Sequence, residues 1–138
     1  MGNYIHRVQY YETDKMGFVH HSNYIRWFEE ARSDFFDKVG APYTETERRG
    51  IISPVLSVSC RYIKSCYYDT DIAIKVSLAR YGNVKFVMKY TVTDAKTGEL
   101  KAEGETEHCF LNNDGKVISL KREWPEMHAY LLKLSESE

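Results

Sequence analysis

The densest group of chemically reactive side chains spans residues 10 to 23, where a predicted strand ends and a predicted helix begins. This segment contains Asp14, His20 and His21, with a glycine at position 17. The first amides of a helix have no intrahelical acceptor, and the positive end of the helix dipole lies there, so such a junction favours an anion. An oxyanion that develops at this position is stabilised without reorganisation. These features support the hypothesis that Asp14 acts as a nucleophile or general base, with a helix amide as the oxyanion donor.

The same residue types also have a structural interpretation. An aspartate within Thr-Asp-Lys-Met-Gly is typical of a turn or a helix cap. Adjacent His20 and His21 are expected to point in different directions, and no third ligand stands at a recognisable spacing, so no metal site is predicted. His108 is expected to be a hydrogen-bonded core histidine, and Cys66 to lie in a loop that can expose it. On this pattern alone, both interpretations of Asp14 stay open.

One long helix is predicted directly after this segment. Its apolar residues fall on one continuous face of a 3.6-residue period, while the opposite face is charged. Ser22 or Asn23 is expected to cap its start, and Gly40 with Pro42 to end it. The apolar face is unusually aromatic, and a sheet covers such a face better than another helix does. This face consists of Tyr24, Trp27, Phe28, Ala31, Phe35, Phe36 and Val39.

Most of the remaining chain alternates apolar and polar residues with a period of two, which is typical of strands. A first strand is predicted over residues 4–11, and later strands are joined by turns such as Gly82-Asn83. The strand at residues 100–111 has a face that is small in its middle, which allows a helix to approach closely. A short strand is expected at Val117-Ile118 and a final helix from Pro125. This order predicts an α+β fold in which a curved antiparallel sheet wraps one long α-helix.

Composition excludes several classes of protein. The chain has 138 residues, 43% of them hydrophobic and 28% charged, which predicts a single globular domain over residues 1–138. A net charge of −1 offers no basic excess for nucleic acid, and no apolar run reaches the ~18 residues of a membrane span. The N-terminus lacks the profile of a signal peptide. Three cysteines without a CxxC motif indicate neither a disulfide framework nor a zinc site, which predicts a cytoplasmic protein.

Residues 10–24 resemble the active-site signature of the hotdog-fold acyl-CoA thioesterases. They read Tyr-Tyr-Glu-Thr-Asp-Lys-Met-Gly-Phe-Val-His-His-Ser-Asn-Tyr. The most similar branch is the 4-hydroxybenzoyl-CoA thioesterase-like group, which includes the thioesterase associated with the Tol–Pal system. The match spans nearly the whole chain and continues through residues 26–32, Gly40, Pro54-Val55, Tyr62 and Tyr68-Asp69.

The resemblance implies a hotdog fold, a homo-oligomer that is a dimer or a dimer of dimers, and active sites at the subunit interface. A homotetramer is the expected assembly. The family's catalytic carboxylate falls on Asp14, its assisting histidine on His21, and a tyrosine found in some members on Tyr10. The resemblance implies seven substrate-binding positions, which are Gly17, Val19, His20, Asn23, Tyr24, Ser53 and Val55. Of these, Ser53 and Val55 match positions that line the acyl pocket from the partner subunit. His20 replaces an aromatic residue often found there, which bears on acyl preference more than on the chemistry.

The implied reaction, hydrolysis of an acyl-CoA or acyl-ACP thioester, requires no cofactor and no metal. The thiolate leaves without strong acid assistance, so an activated nucleophile and an oxyanion hole suffice. Asp14 either attacks directly to give a mixed anhydride or activates water, and the sequence does not separate these routes. Two alternative functions are open to a hotdog domain. One is a hydratase or dehydratase acting on acyl thioesters, but its motifs are not found in this sequence. The other is a non-catalytic acyl-CoA-binding or regulatory domain, which would lack the carboxylate.

Overall fold

The structure, a computed structural model, describes residues 2–137. Strand β1 (Tyr4–Arg7) is followed by a 3₁₀ turn (Tyr10–Glu12) and by helix α1 (Ser22–Lys38). A short helix α2 (Tyr43–Arg48) precedes four further strands, which are β2 (Val55–Tyr62), β3 (Asp71–Tyr81), β4 (Lys85–Asp94) and β5 (Leu100–Cys109). The C-terminal part forms helices α3 (Leu120–Glu123) and α4 (Pro125–Ser137).

The strands form one antiparallel sheet in the order β1-β3-β4-β5-β2. Strands β3, β4 and β5 are neighbours because short turns connect them. The first of these turns is closed by the Gly82 amide, which donates to the Lys85 carbonyl at 2.7 Å. The α+β prediction is confirmed, and β1 and β2 are the two edges of the sheet.

Helix α1 packs its aromatic face on this sheet. Trp27, Phe28, Ala31 and Phe35 are all buried. The Phe28 ring stacks on Tyr90 in β4, with centroids 4.4 Å apart and planes inclined by 12°. An aromatic side chain buries roughly 150–250 Å², so this contact contributes to the hydrophobic stabilisation that holds α1 on the sheet.

The first strand is shorter than the sequence predicts. It ends at Arg7 instead of residue 11, and the chain bends into the 3₁₀ turn. The bend allows Glu12 to turn inward, where its carboxylate accepts a hydrogen bond from the Trp27 indole at 2.6 Å. The contact between Glu12 and Trp27 therefore ends the strand earlier than the alternating pattern predicts.

Two smaller expectations are also wrong. Helix α1 begins at Ser22 with His21 in the N-cap position, so neither Ser22 nor Asn23 caps it. Val117 makes only an isolated bridge to Leu111 and belongs to no strand, because the Asn112-to-Lys116 turn leaves too few residues to extend the pairing.

Strand β2 keeps its apolar side chains exposed, although its alternation predicts a buried face. Only Cys60 is partly buried, while Val55, Leu56, Val58 and Tyr62 are each between 42% and 47% exposed. One edge of β2 pairs with β5, and no other strand of the described residues pairs with its second edge. An apolar, unpaired edge strand is a template for association with another chain.

No helix within residues 2–137 combines the length and apolar character that a membrane span needs. The same residues contain no group of three or more His, Cys, Asp or Glu side chains that could hold a metal ion.

Gly104, in the middle of β5, lies directly against the Phe28 ring of α1. A Cβ at this position would lie 2.5 Å from the Ser59 carbonyl oxygen and 2.6 Å from the Phe28 ring. Because neither neighbour is free to move, we expect Gly104→Ala to destabilise the fold by about 1–3 kcal/mol through overpacking. Thermal unfolding measures the effect against Gly2→Ala, since a Cβ at Gly2 meets nothing within 4 Å. Equal melting temperatures of the two variants would contradict this prediction.

Candidate active site

Asp14 lies in a tight turn between the 3₁₀ turn and α1. Its Oδ1 accepts hydrogen bonds from the amides of Met16 at 2.8 Å and Phe18 at 3.2 Å. Gly17 has a φ of +83°, a left-handed conformation that glycine adopts without strain and that closes this turn. The second oxygen, Oδ2, accepts no hydrogen bond from residues 2–137. The turn thus fixes one carboxylate oxygen and leaves the other available for chemistry, so the structural and the chemical interpretations of Asp14 are compatible.

A cleft of about 270 Å³ borders Asp14 at the start of α1. The Tyr62 ring closes one side, where it meets the Tyr24 ring edge-on with centroids 5.0 Å apart. The Tyr62 hydroxyl also donates to the His21 carbonyl at 3.3 Å. The cleft brings together five of the predicted site residues, which are Asp14, Val19, His20, His21 and Tyr24.

One backbone amide at the start of α1 has no acceptor. The His20 amide donates to the Glu12 carbonyl at 2.8 Å, and the amides of Ser22 and Asn23 donate to the side chain and carbonyl of His20. The His21 amide donates to no group in the described part of the chain. An open N–H at a helix start, beside a cleft that contains a carboxylate, can hold a developing oxyanion.

The rings of His20 and His21 are stacked, with centroids 4.2 Å apart and planes inclined by 30°. The expectation that they point in different directions is therefore wrong. The physical reason is Ser22, whose hydroxyl lies 2.9 Å from His20 Nδ1 and whose amide donates to the same nitrogen at 3.2 Å. These contacts hold the exposed His20 ring over His21 at the edge of the cleft.

Tyr24 forms an apolar, buried wall of the site. Burial, followed by a hydrogen bond with Cys66, raises the pKa of the Tyr24 phenol, so this group stays protonated at neutral pH. Cys66 is 1% exposed, and the expectation of an exposed thiol is wrong. Its segment is held inside because the Val19 amide donates to the Cys66 carbonyl at 3.0 Å.

Glu12 is a structural brace beneath the Asp14 turn. It is 4% exposed, and its Oε1 lies 2.7 Å from the Gln9 amide and 2.8 Å from His6 Nε2, while Oε2 accepts from the Trp27 indole. Burial alone would raise the pKa of Glu12, but these three hydrogen-bonding groups outweigh it and lower the pKa. The Glu12 carbonyl also accepts from the Asn23 side chain at 2.8 Å. Because both of its carboxylate oxygens have partners, Glu12 positions the Asp14 turn and is not a candidate for the chemistry.

Five predicted site residues lie outside the cleft lining, and three of them, Tyr10, Gly17 and Asn23, belong to the segment around Asp14. The Tyr10 ring is 75% exposed and meets Tyr68 edge-on at 5.7 Å. Gly17 forms the Asp14 turn, and the Asn23 side chain is 7% exposed and bonded to the backbone of the loop. Contact of these residues with a substrate stays a prediction.

Ser53 and Val55 lie at the start of β2, whereas the Asp14 cleft meets the other end of that strand. Ser53 borders a second cavity that includes Arg32, and Val55 is 47% exposed. Within one chain the two residues do not join the cleft. Their predicted role in an acyl pocket therefore requires a second copy of the chain.

Sequence reasoning did not assign the far wall of the cleft, which Tyr62, Ile63, Lys64 and Ser65 form. Tyr62 and His21 are in contact although they are 41 residues apart in the chain. No local pattern marks such a contact, because it depends on how β2 and α1 pack together.

The fold defines a class: one antiparallel sheet that packs on one long helix is the hotdog fold, and the cleft at the start of α1 is its candidate site. Residues 8–132 match the family model of the Thioesterase-like superfamily. The chain belongs to this superfamily, and the prediction of a hotdog-fold thioester hydrolase is confirmed.

Three similar proteins illustrate this relationship. A structure described as DHNA-CoA thioesterase from Staphylococcus aureus is 36% identical, covers 98% of this chain and 91% of its own, and superimposes with a TM-score of 0.92. The 4-hydroxybenzoyl-CoA thioesterase of Pseudomonas sp. is 26% identical over 118 residues, which are 81% of this chain and 84% of that protein. A putative acyl-CoA thioesterase of Bacillus subtilis is 30% identical over 122 residues, which are 88% of this chain and 88% of that protein.

Proposed function

We propose that the chain hydrolyses the thioester of an acyl-CoA, with Asp14 as nucleophile or general base and the His21 amide as oxyanion donor. The observation that carries this proposal is that one cleft contains both a half-fixed carboxylate and an open helix amide. The three similar proteins described above all have CoA thioesters in their names, which supports CoA as the carrier.

The geometry supports a simple sequence of events. In one route Asp14 Oδ2 attacks the thioester carbonyl carbon, the C–S bond breaks, the CoA thiolate leaves, and water opens the resulting mixed anhydride to give the free acid and the Asp14 carboxylate. In the other route Asp14 takes the proton of a water molecule that attacks the carbonyl carbon, the tetrahedral intermediate expels the thiolate, and the thiolate takes up the proton. In both routes the carbonyl oxygen becomes negatively charged, and the His21 amide donates to it. Because the amides of Met16 and Phe18 hold Oδ1, the carboxylate keeps its orientation throughout.

The site is completed by a second copy of the chain in this proposal. Antiparallel pairing of two β2 strands would extend the sheet and cover the exposed apolar edge. Such pairing sets the start of one β2 against the end of the other. Ser53 and Val55 of one subunit then approach the wall formed by residues 62–65 of the other subunit's Asp14 cleft. Two such dimers would form the expected tetramer.

Release of free thiol tests the activity directly. The purified protein is incubated with short-chain, medium-chain and aromatic acyl-CoAs and with an acyl-ACP, and a thiol reagent reports hydrolysis. We expect release from at least one acyl-CoA. A protein that binds acyl-CoA but releases no thiol from any member of the panel would instead be a non-catalytic binding domain.

Disruption of the β2 edge is expected to separate the subunits and remove activity together. Val58→Lys places a charge at the centre of the proposed strand pairing, and charged side chains are a common protection against edge association. Light scattering and thiol release are measured on the same sample. Val117→Lys is the matched control, since Val117 is 61% exposed outside β2 and should keep both assembly and activity. A stable, active Val58→Lys monomer would refute the shared site.

A further inference from the structure

A second cavity lies between α1, α2 and the two C-terminal helices, and its volume is about 270 Å³. Apolar cavities of about 150 Å³ already bind benzene, so this one has room for a substituted aromatic ring. Its wall is mainly apolar and includes Phe36, Ile51, Phe110, Trp124, Met127 and Leu131.

Arg32 is the one cationic side chain among the described residues that line this cavity. Its Nη1 donates to the Tyr90 hydroxyl at 3.2 Å, and no carboxylate in residues 2–137 pairs with it. A guanidinium carries five N–H donors, so most donors of Arg32 have no protein acceptor. Unpaired donors beside an apolar wall are the arrangement by which small-molecule pockets orient a ligand oxygen.

A buried series of hydrogen-bonded side chains positions Arg32 relative to Ser53. The Tyr90 hydroxyl lies 2.7 Å from Thr106 Oγ1, which lies 2.7 Å from His108 Nε2, and His108 Nδ1 lies 3.3 Å from the Ser53 carbonyl. Burial, followed by the charge of Arg32, lowers the pKa of His108 to about 4, so its ring is neutral at neutral pH. The series connects the Arg32 guanidinium to the Ser53 carbonyl, and both residues line the cavity.

The position of Ser53 links this cavity to the reaction. Ser53 lines the cavity and lies two residues before the start of β2, whose pairing would bring it to the Asp14 cleft of the other subunit. We propose that this cavity receives the distal part of the acyl group, and that Arg32 determines specificity by donating a hydrogen bond to an oxygen substituent there. This proposal rests on the proposed function. Asp14 and the Arg32 that serves it then belong to different subunits.

The charged residues around the cavity determine whether an ionised or a neutral oxygen of the acyl group can bind there. Glu29 and Asp37 are exposed and also line it. Two carboxylates would repel an ionised carboxylate on the acyl group and leave a hydroxyl or keto oxygen unaffected. The substrate class is therefore an acyl group with a neutral acceptor oxygen at its far end.

The specificity is tested with a matched pair of substrates, 4-hydroxybenzoyl-CoA and 4-methylbenzoyl-CoA, which differ in one hydroxyl group. The wild-type protein should have the higher kcat/KM on the hydroxylated substrate. Arg32→Met should reduce this preference by at least about tenfold, the low end for a hydrogen bond to a charged group, and Arg32→Lys should retain part of it. An unchanged preference in the folded Arg32→Met protein would overturn the role of Arg32, and a preference for 4-carboxybenzoyl-CoA would overturn the neutral oxygen.

Mixed dimers test the subunit arrangement. Asp14→Asn and Arg32→Met chains carry different affinity tags, are co-expressed, and are purified through both tags. If the site is shared, the one active site combines Asp14 of the Arg32→Met chain with Arg32 of the other chain, and the wild-type preference returns. A mixed dimer with the weakened preference would place the cavity and Asp14 in the same chain and refute the proposal.

Different results would refute the proposed thioester hydrolysis and the proposed role of Arg32. A wild-type protein that hydrolyses neither benzoyl substrate nor any other acyl-CoA would refute the proposed function. Hydrolysis that continues with the same substrate preference in wild type and in Arg32→Met would refute only the assignment of Arg32.

Discussion

Asp14→Asn is expected to lower kcat by at least about a hundredfold while the protein remains folded. The substitution keeps an oxygen that can accept from the Met16 and Phe18 amides, but it removes the negative charge of the atom proposed to attack or to take a proton. A hundredfold is the low end of the contribution of a general base. Acyl-CoA binding should survive, because the substitution keeps the size and the hydrogen-bonding oxygen of the side chain. The measurement is kcat together with the melting temperature of the variant.

Two further variants make this result interpretable. Asp114→Asn removes an equivalent charge from an exposed turn and should leave kcat unchanged. His21→Ala should cost less than Asp14→Asn, because the backbone amide proposed as oxyanion donor is retained. If Asp14 only stabilises its turn, Asp14→Asn would cost about 1 kcal/mol of stability and little activity. A near-normal kcat in the folded variant would move the chemistry away from Asp14.

Periodicity predicted the main elements because it reports which side of a helix or strand is apolar. The aromatic face of α1 packs on the sheet as expected, and the small residues around Gly104 admit the Phe28 ring. Periodicity does not report what covers a face. The alternation of β2 resembles that of β4, yet β4 is buried under α1 while the apolar residues of β2 are exposed in the single chain. The covering of β2 is not encoded locally.

The loop half of the candidate site was predictable, and the other half was not. Asp14 and His21 are near each other in sequence, so a strand-to-helix junction necessarily brings them together. Tyr62 reaches the same cleft through the packing of β2, which no short pattern describes. The stacked His20 ring depends on Ser22, a residue whose pattern suggested a helix cap. Several side chains compete for the start of α1, and the sequence pattern does not show that His21 takes the N-cap position while Ser22 contacts His20.

Glu12 was the second carboxylate of the reactive segment, and sequence alone could not separate it from Asp14 by role. The structure separates them by exposure and by the number of hydrogen-bonding partners. Asp14 is exposed and has one oxygen without a partner, whereas Glu12 is 4% exposed and both of its oxygens have partners. A buried carboxylate with three such partners stabilises a fold and has no oxygen left for a substrate.

Glu12→Gln is therefore expected to be among the most destabilising conservative changes in this chain. The carboxamide loses the charge and replaces one oxygen by an N–H₂ group, which faces either the Gln9 amide or the Trp27 indole, so one of these donors then lacks an acceptor. Hydrogen bonds to a buried charge are each worth about 1.5–3 kcal/mol, so we expect a loss of about 3 kcal/mol and a melting temperature lower by about 10 °C. Glu105→Gln, at an exposed position of β5, is the control and should change neither.

The pH dependence of this effect distinguishes a buried charge from simple packing. The pKa of Glu12 is lowered in the folded protein, so its stabilisation is complete above the ordinary pKa of glutamate and is lost as pH falls through the lowered value. The difference in unfolding free energy between wild type and Glu12→Gln should therefore shrink as the pH falls from about 7 to about 3. Denaturant unfolding at several pH values measures it. A difference that stays constant over this range would show that the charge of Glu12 contributes nothing and that its shape alone supports the Asp14 turn.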